Sequence, residues 1–194
     1  MPIKDINEIK YYINICETLK LTRDELKFRI KSNEYQRLDE NTKIKLINEY
    51  EANVIDFVKN SIIIKNNNNH EIMSEKVLQK LILEDIPSFL DELGSGFTFI
   101  RNEYKIKLGD KYNYIDLLLY NIKFKCYVVV ELKIIELKKE HIGQIETYMN
   151  YIDKNIKTIV EDKTIGIIIV KKNDKYIMEY CSDDRIIARE YVLI

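Results

Sequence analysis

The chain has 194 residues, with 31 Lys and Arg against 32 Asp and Glu and a formal net charge of -1, which excludes a histone-like basic tail and an acidic disordered segment. Hydrophobic residues make up 46%, with only five glycines and two prolines, so the chain can bury a core and is no linker or collagen-like protein. The apolar runs Ile62–Ile64, Leu117–Leu119 and Ile167–Val170 fall far short of the roughly 18 residues of a membrane span.

The start, Met1-Pro2-Ile3-Lys4-Asp5, lacks a signal-peptide core, and Cys16, Cys126 and Cys181 are odd in number and widely spaced. They read as reduced thiols of a cytoplasmic protein. Residues 1–70 carry 12 basic and 11 acidic groups and residues 71–194 carry 19 and 21, so neither part is a basic module. Any nucleic-acid surface must come from local arrangement.

The first 70 residues read as a small helical domain. Ile6, Ile9, Tyr12, Ile13 and Cys16 recur at helical steps, and Thr22-Arg23-Asp24-Glu25 has the form of a capping box ahead of Leu26, Phe28 and Ile30. A third helix is expected from Thr42 to Val58. Three helices leave room for a helix-turn-helix, and Arg23, Lys27, Arg29, Lys31 and Arg37 give the second helix and its exit a bias that suits phosphate or simply a solvated face. The asparagine tract Asn66–Asn69, followed by His70, is low in complexity and favours turns, which sets the expected boundary between domains 1–70 and 71–194.

Beyond it the pattern changes class. Residues 74–93 are expected to form an amphipathic helix ending at Gly94, kinked or restarted at Pro87. Strands are expected at Phe97–Leu108, Tyr112–Tyr120 and Cys126–Lys133, then a helix over 139–152, strands at Thr164–Val170 and Tyr176–Tyr180, and an apolar end at Tyr191–Ile194. The fold class is therefore mixed α/β (α+β), a sheet flanked by helices and preceded by a small all-α domain.

The chemistry concentrates on Ile115-Asp116-Leu117-Leu118-Leu119 and Val128-Val129-Val130-Glu131-Leu132-Lys133. An acid inside an apolar strand costs desolvation energy unless a partner or a metal compensates. A turn centred between Lys123 and Phe124 would place Asp116 opposite Glu131 with Cβ atoms about 5 Å apart. Lys133 then shares the face of Glu131, across from Tyr114. Two hard carboxylates so placed suit Mg²⁺ or Mn²⁺, and an ammonium beside them suits charge building on phosphorus. A plain ion-pair network at a sheet edge is the structural alternative.

The order Asp, then Glu-x-Lys on the next strand, resembles the PD-(D/E)XK nuclease superfamily. The surrounding text, GFTFIRNEYKIKLGDKYNYIDLLLYNIKFKCYVVVELK with HIGQIETYMNYID and TIGIIIVKK, is similar to the nuclease domain of the bacterial YhcG-like family over about residues 71–194. LTRDELKFRIKSNEYQRL is more weakly similar to the helical domain that precedes it there. The resemblance implies a restriction-endonuclease-like α-β-β-β-α-β core, with Asp116 and Glu131 as metal ligands and Lys133 as the catalytic lysine. Gln144 and Tyr148, four apart on one helical face, resemble the Gln-x-x-x-Tyr element of the exonuclease-like branch. Glu84 and Glu92 are the candidates for the glutamate that the superfamily often adds from its first helix. The proline of the nominal motif is replaced by Ile115.

Lys105, Lys107, Lys111, Lys123, Lys125, Lys138 and Lys139 interleave with Tyr104, Tyr112, Tyr114 and Phe124, a mixture that suits phosphates and unstacked bases and equally suits exposed hairpin edges. His141 reads as a surface or cap residue, and Cys126 as a small core residue, since no Cys or His cluster has zinc spacing. No GxxxxGK[ST], GxGxxG or GxSxG occurs. The expectation is a Mg²⁺-dependent endo- or exodeoxyribonuclease acting on DNA as a homodimer, away from membranes. Its rivals are a non-cleaving nucleic-acid-binding or assembly module on the same fold, and a partner-dependent toxin or defence component.

Overall fold

The computed structural model describes residues 3–48, 53–67, 71 and 74–194, and it divides into two compact units, Met1–Ala52 and Asn53–Ile194. The first unit contains α1 (Ile6–Leu19), α2 (Arg23–Lys31) and α3 (Glu40–Asn48). The capping box forms as expected: the Glu25 N–H donates to Thr22 Oγ1 at 3.4 Å, and the Thr22 N–H donates to Glu25 Oε2 at 2.7 Å. Tyr12, Tyr35 and Leu38 make a small core with Ile15, Leu26 and Ile30 against it. Ile6 and Ile13 lie roughly a third of a turn from that side of α1 and stay more than half exposed, and Phe28, two residues from both Leu26 and Ile30, also faces out.

Two of the five basic residues are spent inside this unit. Arg29 is buried, with Nη1 3.1 Å from both carboxylate oxygens of Glu34, and Arg37 Nε donates to the Ser32 carbonyl at 3.0 Å. Arg23, Lys27 and Lys31 remain exposed.

The boundary falls earlier than the asparagine tract. Val54–Phe57 is a short 3₁₀ turn and β1 (Ile62–Ile64) is a strand of the second unit, while residues 49–52 of the expected third helix, and Asn68, Asn69 and His70, lie outside the described residues. The remaining elements are α4 (Glu75–Glu84), α5 (Ile86–Leu93), β2 (Phe97–Leu108), β3 (Lys111–Asn121), β4 (Cys126–Glu136), α6 (Lys139–Asn155), β5 (Asp162–Lys172), α7 (Lys175–Glu179) and β6 (Ile186–Leu193). The helical span expected over 74–93, kinked or restarted at Pro87, is two helices, because Asp85 ends α4 and accepts the Ser88 N–H at 3.1 Å to start α5, with Pro87 in its first turn.

The six strands form one mixed sheet in the order β1-β6-β5-β4-β3-β2. The pairs β2–β3 and β3–β4 are antiparallel, whereas β4–β5, β5–β6 and β1–β6 are parallel. Residues 176–180, expected as a strand, belong instead to α7 and its cap: Asp174 Oδ1 accepts the Tyr176 N–H at 2.9 Å and starts the helix, and the last strand is β6. Each sheet face has its own core. Leu78, Leu81, Ile82, Phe89 and Leu93 of α4 and α5 pack on Leu117, Val128, Val130, Leu132 and Ile167. On the other face Ile145, Tyr148, Met149 and Ile152 of α6 pack on Leu118, Val129, Ile168 and Ala188.

The α6 contact is tight at Gly166, where an added Cβ would lie 2.6 Å from Met149 Sδ. Among the described residues no helix is long and apolar enough to cross a membrane.

Candidate active site

The register between β3 and β4 runs from Leu117–Val130 to Asn121–Cys126, the alignment expected from the turn, and one further step sets Asp116 across from Glu131. Pairing stops there. Asp116 Oδ2 instead accepts the Leu132 N–H at 2.8 Å, and the Asp116 carbonyl accepts from Gln79 Nε2 of α4 at 2.9 Å. The carboxylate is thus fixed at the point where β3 parts from β4.

Glu131 is 2% exposed and its Oε1 is one of two buried side-chain oxygens without a hydrogen-bond partner among the described residues. Its other oxygen, Oε2, lies 3.5 Å from Lys133 Nζ. Burial, then the neighbouring charge of Asp116, pushes the Glu131 pKa up to about 8, against the pull of Lys133. Asp116 is also raised by burial, opposed by the Leu132 N–H and by Lys133. Burial works against the charge on Lys133, yet Glu131, Glu75 and Asp116 together hold its pKa above the usual lysine value. It is an ammonium among three acids.

The glutamate that α4 brings to this cluster is neither of those expected. Glu75 Oε1, in the first turn, is 3.5 Å from Lys133 Nζ. Glu84 is at the far end of α4, about 13 Å along the axis, exposed and 3.8 Å from Lys80. Glu92 is buried at the α5–β1 corner, where its Oε2 accepts the Ile63 N–H at 2.9 Å. The sequence signal for Glu75 was its place just after the Ser74 cap, four residues before Gln79 on the same helical face. Glu75, Gln79, Lys76, Glu103, Tyr114 and Asp116 line one cleft. Glu103 there has φ 45°, a left-handed conformation that costs a non-glycine residue about 1–2 kcal/mol.

On α6, Gln144 Nε2 donates to the Tyr148 hydroxyl at 3.1 Å, and Tyr148 is buried. Burial raises the Tyr148 pKa, opposed by the Gln144 hydrogen bond, and the charge of Glu131 adds to the rise. His141 is a cap: its Nδ1 accepts the Lys138 N–H at 3.2 Å.

Among the described residues no three His, Cys, Asp or Glu side chains are gathered closely enough to cage a metal by themselves. The donor set still fits a hard divalent cation, since the carboxylates of Asp116 and Glu131 sit on adjacent strands and influence each other's charge, and one buried oxygen has no partner among the described residues, with water and substrate oxygens to complete the shell.

A mixed sheet whose antiparallel hairpin feeds a parallel β-α-β unit, with Asp and Glu-x-Lys on adjacent strands, defines the PD-(D/E)XK class of nuclease folds. Residues 55–193 match the YhcG PDDEXK nuclease domain, and the chain belongs to that family. It is 25% identical over 96 residues to the Escherichia coli (strain K12) protein named "Putative nuclease YhcG", an alignment that covers 50% of this chain and 26% of that protein. The chain therefore spans only about a quarter of that relative's length. Among solved structures it is similar to a repair endonuclease from Pyrococcus abyssi, with 17% identity and a TM-score of 0.42 over 66% of this chain and 49% of the other. It is also similar to EndoMS in complex with double-stranded DNA, with 18% identity and a TM-score of 0.42 over 66% and 48%.

Proposed function

We propose that this chain is a metal-dependent deoxyribonuclease that hydrolyses phosphodiester bonds at the Asp116–Glu131–Lys133 cluster. The observation that carries this reading is the Glu131 carboxylate, buried with one oxygen unpartnered and the other beside a charged lysine. A buried acid so poorly satisfied costs stability, and a bound cation is the simplest compensation. Asp116 and Glu131 would hold Mg²⁺ or Mn²⁺, which when bound neutralises phosphate charge and lowers the pKa of a water.

The chain's own residues do the rest. Lys133 presents positive charge where negative charge builds on the phosphate, and Glu131 and Glu75 keep it protonated. The Leu132 N–H and Gln79 hold Asp116 in place from its two ends. Tyr148, oriented by Gln144, serves as a positioning residue on the α6 side.

The test is cleavage of labelled single-stranded, double-stranded and branched DNA with Mg²⁺, Mn²⁺ or EDTA, using the wild type and Lys133→Ala. Metal-dependent cutting that falls by roughly 10²–10³-fold in Lys133→Ala is expected. DNA binding without cutting under every metal condition would replace this reading with that of a binding module on a nuclease fold.

A further inference from the structure

β2 and β3 continue past β4. Only Leu117–Asn121 of β3 pair with β4, so residues 111–116 and their β2 partners form a two-stranded ribbon that runs out from the candidate active site to the turn at Gly109-Asp110. One face of the ribbon is sealed, with Ile106 and Ile115 buried in the α6-side core. The other is open, and its cross-strand pairs are Lys105 with Tyr114 and Lys107 with Tyr112. All four side chains are exposed, the tyrosines by 57% and 52% for Tyr112 and Tyr114. Large aromatic rings held this far into water on a sheet face gain little from burial, and so invite a ligand.

The open face has both components that a nucleic-acid strand needs. Residues 101–112 carry four basic groups against two acidic ones, and Lys105 Nζ sits 3.8 Å from the Tyr112 ring centroid, which places an ammonium beside an aromatic platform. Of those two acids Glu103 lines the cleft, and Lys76 Nζ lies 4.0 Å from its carboxylate. Tyr114 lines the cleft together with Asp116, so the face is continuous with the proposed point of cleavage.

Spacing selects the form of the strand. Tyr112 and Tyr114 are two residues apart on one strand, about 7 Å. Bases stacked in a duplex strand are about 3.4 Å apart and already cover one another. Neighbouring duplex bases cannot use both rings, whereas a spread, unpaired strand can.

We propose that the open face of the β2–β3 ribbon is a track for an unpaired DNA strand, with Tyr112 and Tyr114 as base platforms and Lys105 and Lys107 as phosphate contacts, leading the strand to the Asp116 end. The proposal rests on the nuclease reading above and names its substrate: a single-stranded segment or frayed end.

The test measures binding in EDTA by anisotropy of labelled oligothymidylate, oligouridylate and a blunt DNA duplex. Wild type should favour oligothymidylate. The double variant Tyr112→Ala/Tyr114→Ala should lose roughly ten-fold or more on the single strand and less than two-fold on the duplex, while Tyr112→Phe/Tyr114→Phe retains binding. The chain has no tryptophan, so Tyr114→Trp supplies a lone indole whose fluorescence should be quenched by oligothymidylate. An unchanged single-strand affinity in the double alanine variant, equal losses on both DNA forms, or an unquenched indole overturns the track. Tighter binding of oligouridylate overturns its assignment to DNA. Cleavage by wild type with Mg²⁺, run in parallel, separates the two readings. Cutting with no tyrosine dependence sinks the track alone, and tyrosine-dependent binding without cutting upholds the track while sinking the nuclease.

Discussion

Two buried glutamates in the same unit meet opposite fates. At the α5–β1 corner, Glu92 accepts the Ile63 N–H at 2.9 Å and has Lys59 Nζ 3.9 Å away, while that lysine also donates to the Asp91 carbonyl. At the parting of β3 and β4, Glu131 has comparable burial, a lysine at 3.5 Å, a second acid close by and an oxygen with no partner among the described residues. Burial of a charge therefore does not distinguish structure from function; the state of its hydrogen bonds does. The satisfied acid ties β1 to the body of the unit, and under the proposed function the unsatisfied one is the metal ligand.

Exchanging the two acids gives the sharpest contrast. Glu131→Gln should reduce metal-dependent cleavage by about 10²–10³-fold, judged against single oxyanion-hole deletions. Glu92→Gln should leave cleavage per folded molecule unchanged but lower unfolding free energy by roughly 3 kcal/mol, because the buried Lys59 ammonium loses the opposite charge 3.9 Å away. Single-turnover rates and urea melts on both variants measure this. A stable Glu92→Gln protein with lost activity would erase the distinction.

The second comparison uses pH. In the metal-free protein the folded state keeps a proton on Glu131 up to about 8, whereas the unfolded chain releases it in the ordinary carboxylate range. The folded state binds more protons across that window, so this contribution to stability falls as pH rises. Glu131→Gln has no such proton to lose. Its stability relative to wild type should increase between pH 5 and pH 8.5 in EDTA by about 1 kcal/mol or more, the worth of one pKa unit. A difference that is flat with pH would show that Glu131 is charged and compensated by the protein alone.

The smallest effect is expected at Glu75, whose side chain is 42% exposed. Glu75→Gln should cut the cleavage rate by about three- to ten-fold with an unchanged melting temperature, since an exposed carboxylate adds only modestly to the field at Lys133. A loss as large as that of Glu131→Gln would make Glu75 a metal ligand instead of a neighbour of the lysine.

How far the sequence could be read depended on the range of the interaction. The capping box of α2, the break at Pro87 and the β3–β4 register all follow from residues a few positions apart, and each appears as expected. β1 does not, because Ile62–Ile64 becomes a strand only by pairing with Tyr191–Leu193 at the other end of the chain. For the same reason the boundary moved from the asparagine tract to residue 52, and the alternating residues 176–180 yielded to the Asp174 cap and became α7.

By itself the sequence determined the two strands that carry Asp116, Glu131 and Lys133, since a carboxylate inside an apolar run and a short turn fix both the oddity and its alignment. Only the tertiary structure decided which glutamate of the preceding helices joins them. Glu75, Glu84 and Glu92 look alike along the chain, and α4 packs so that its first turn, not its last, meets Lys133, while α5 turns Glu92 toward β1. A charge declares itself in sequence, but its partners are set by helix position and burial, which depend on contacts that no local pattern encodes.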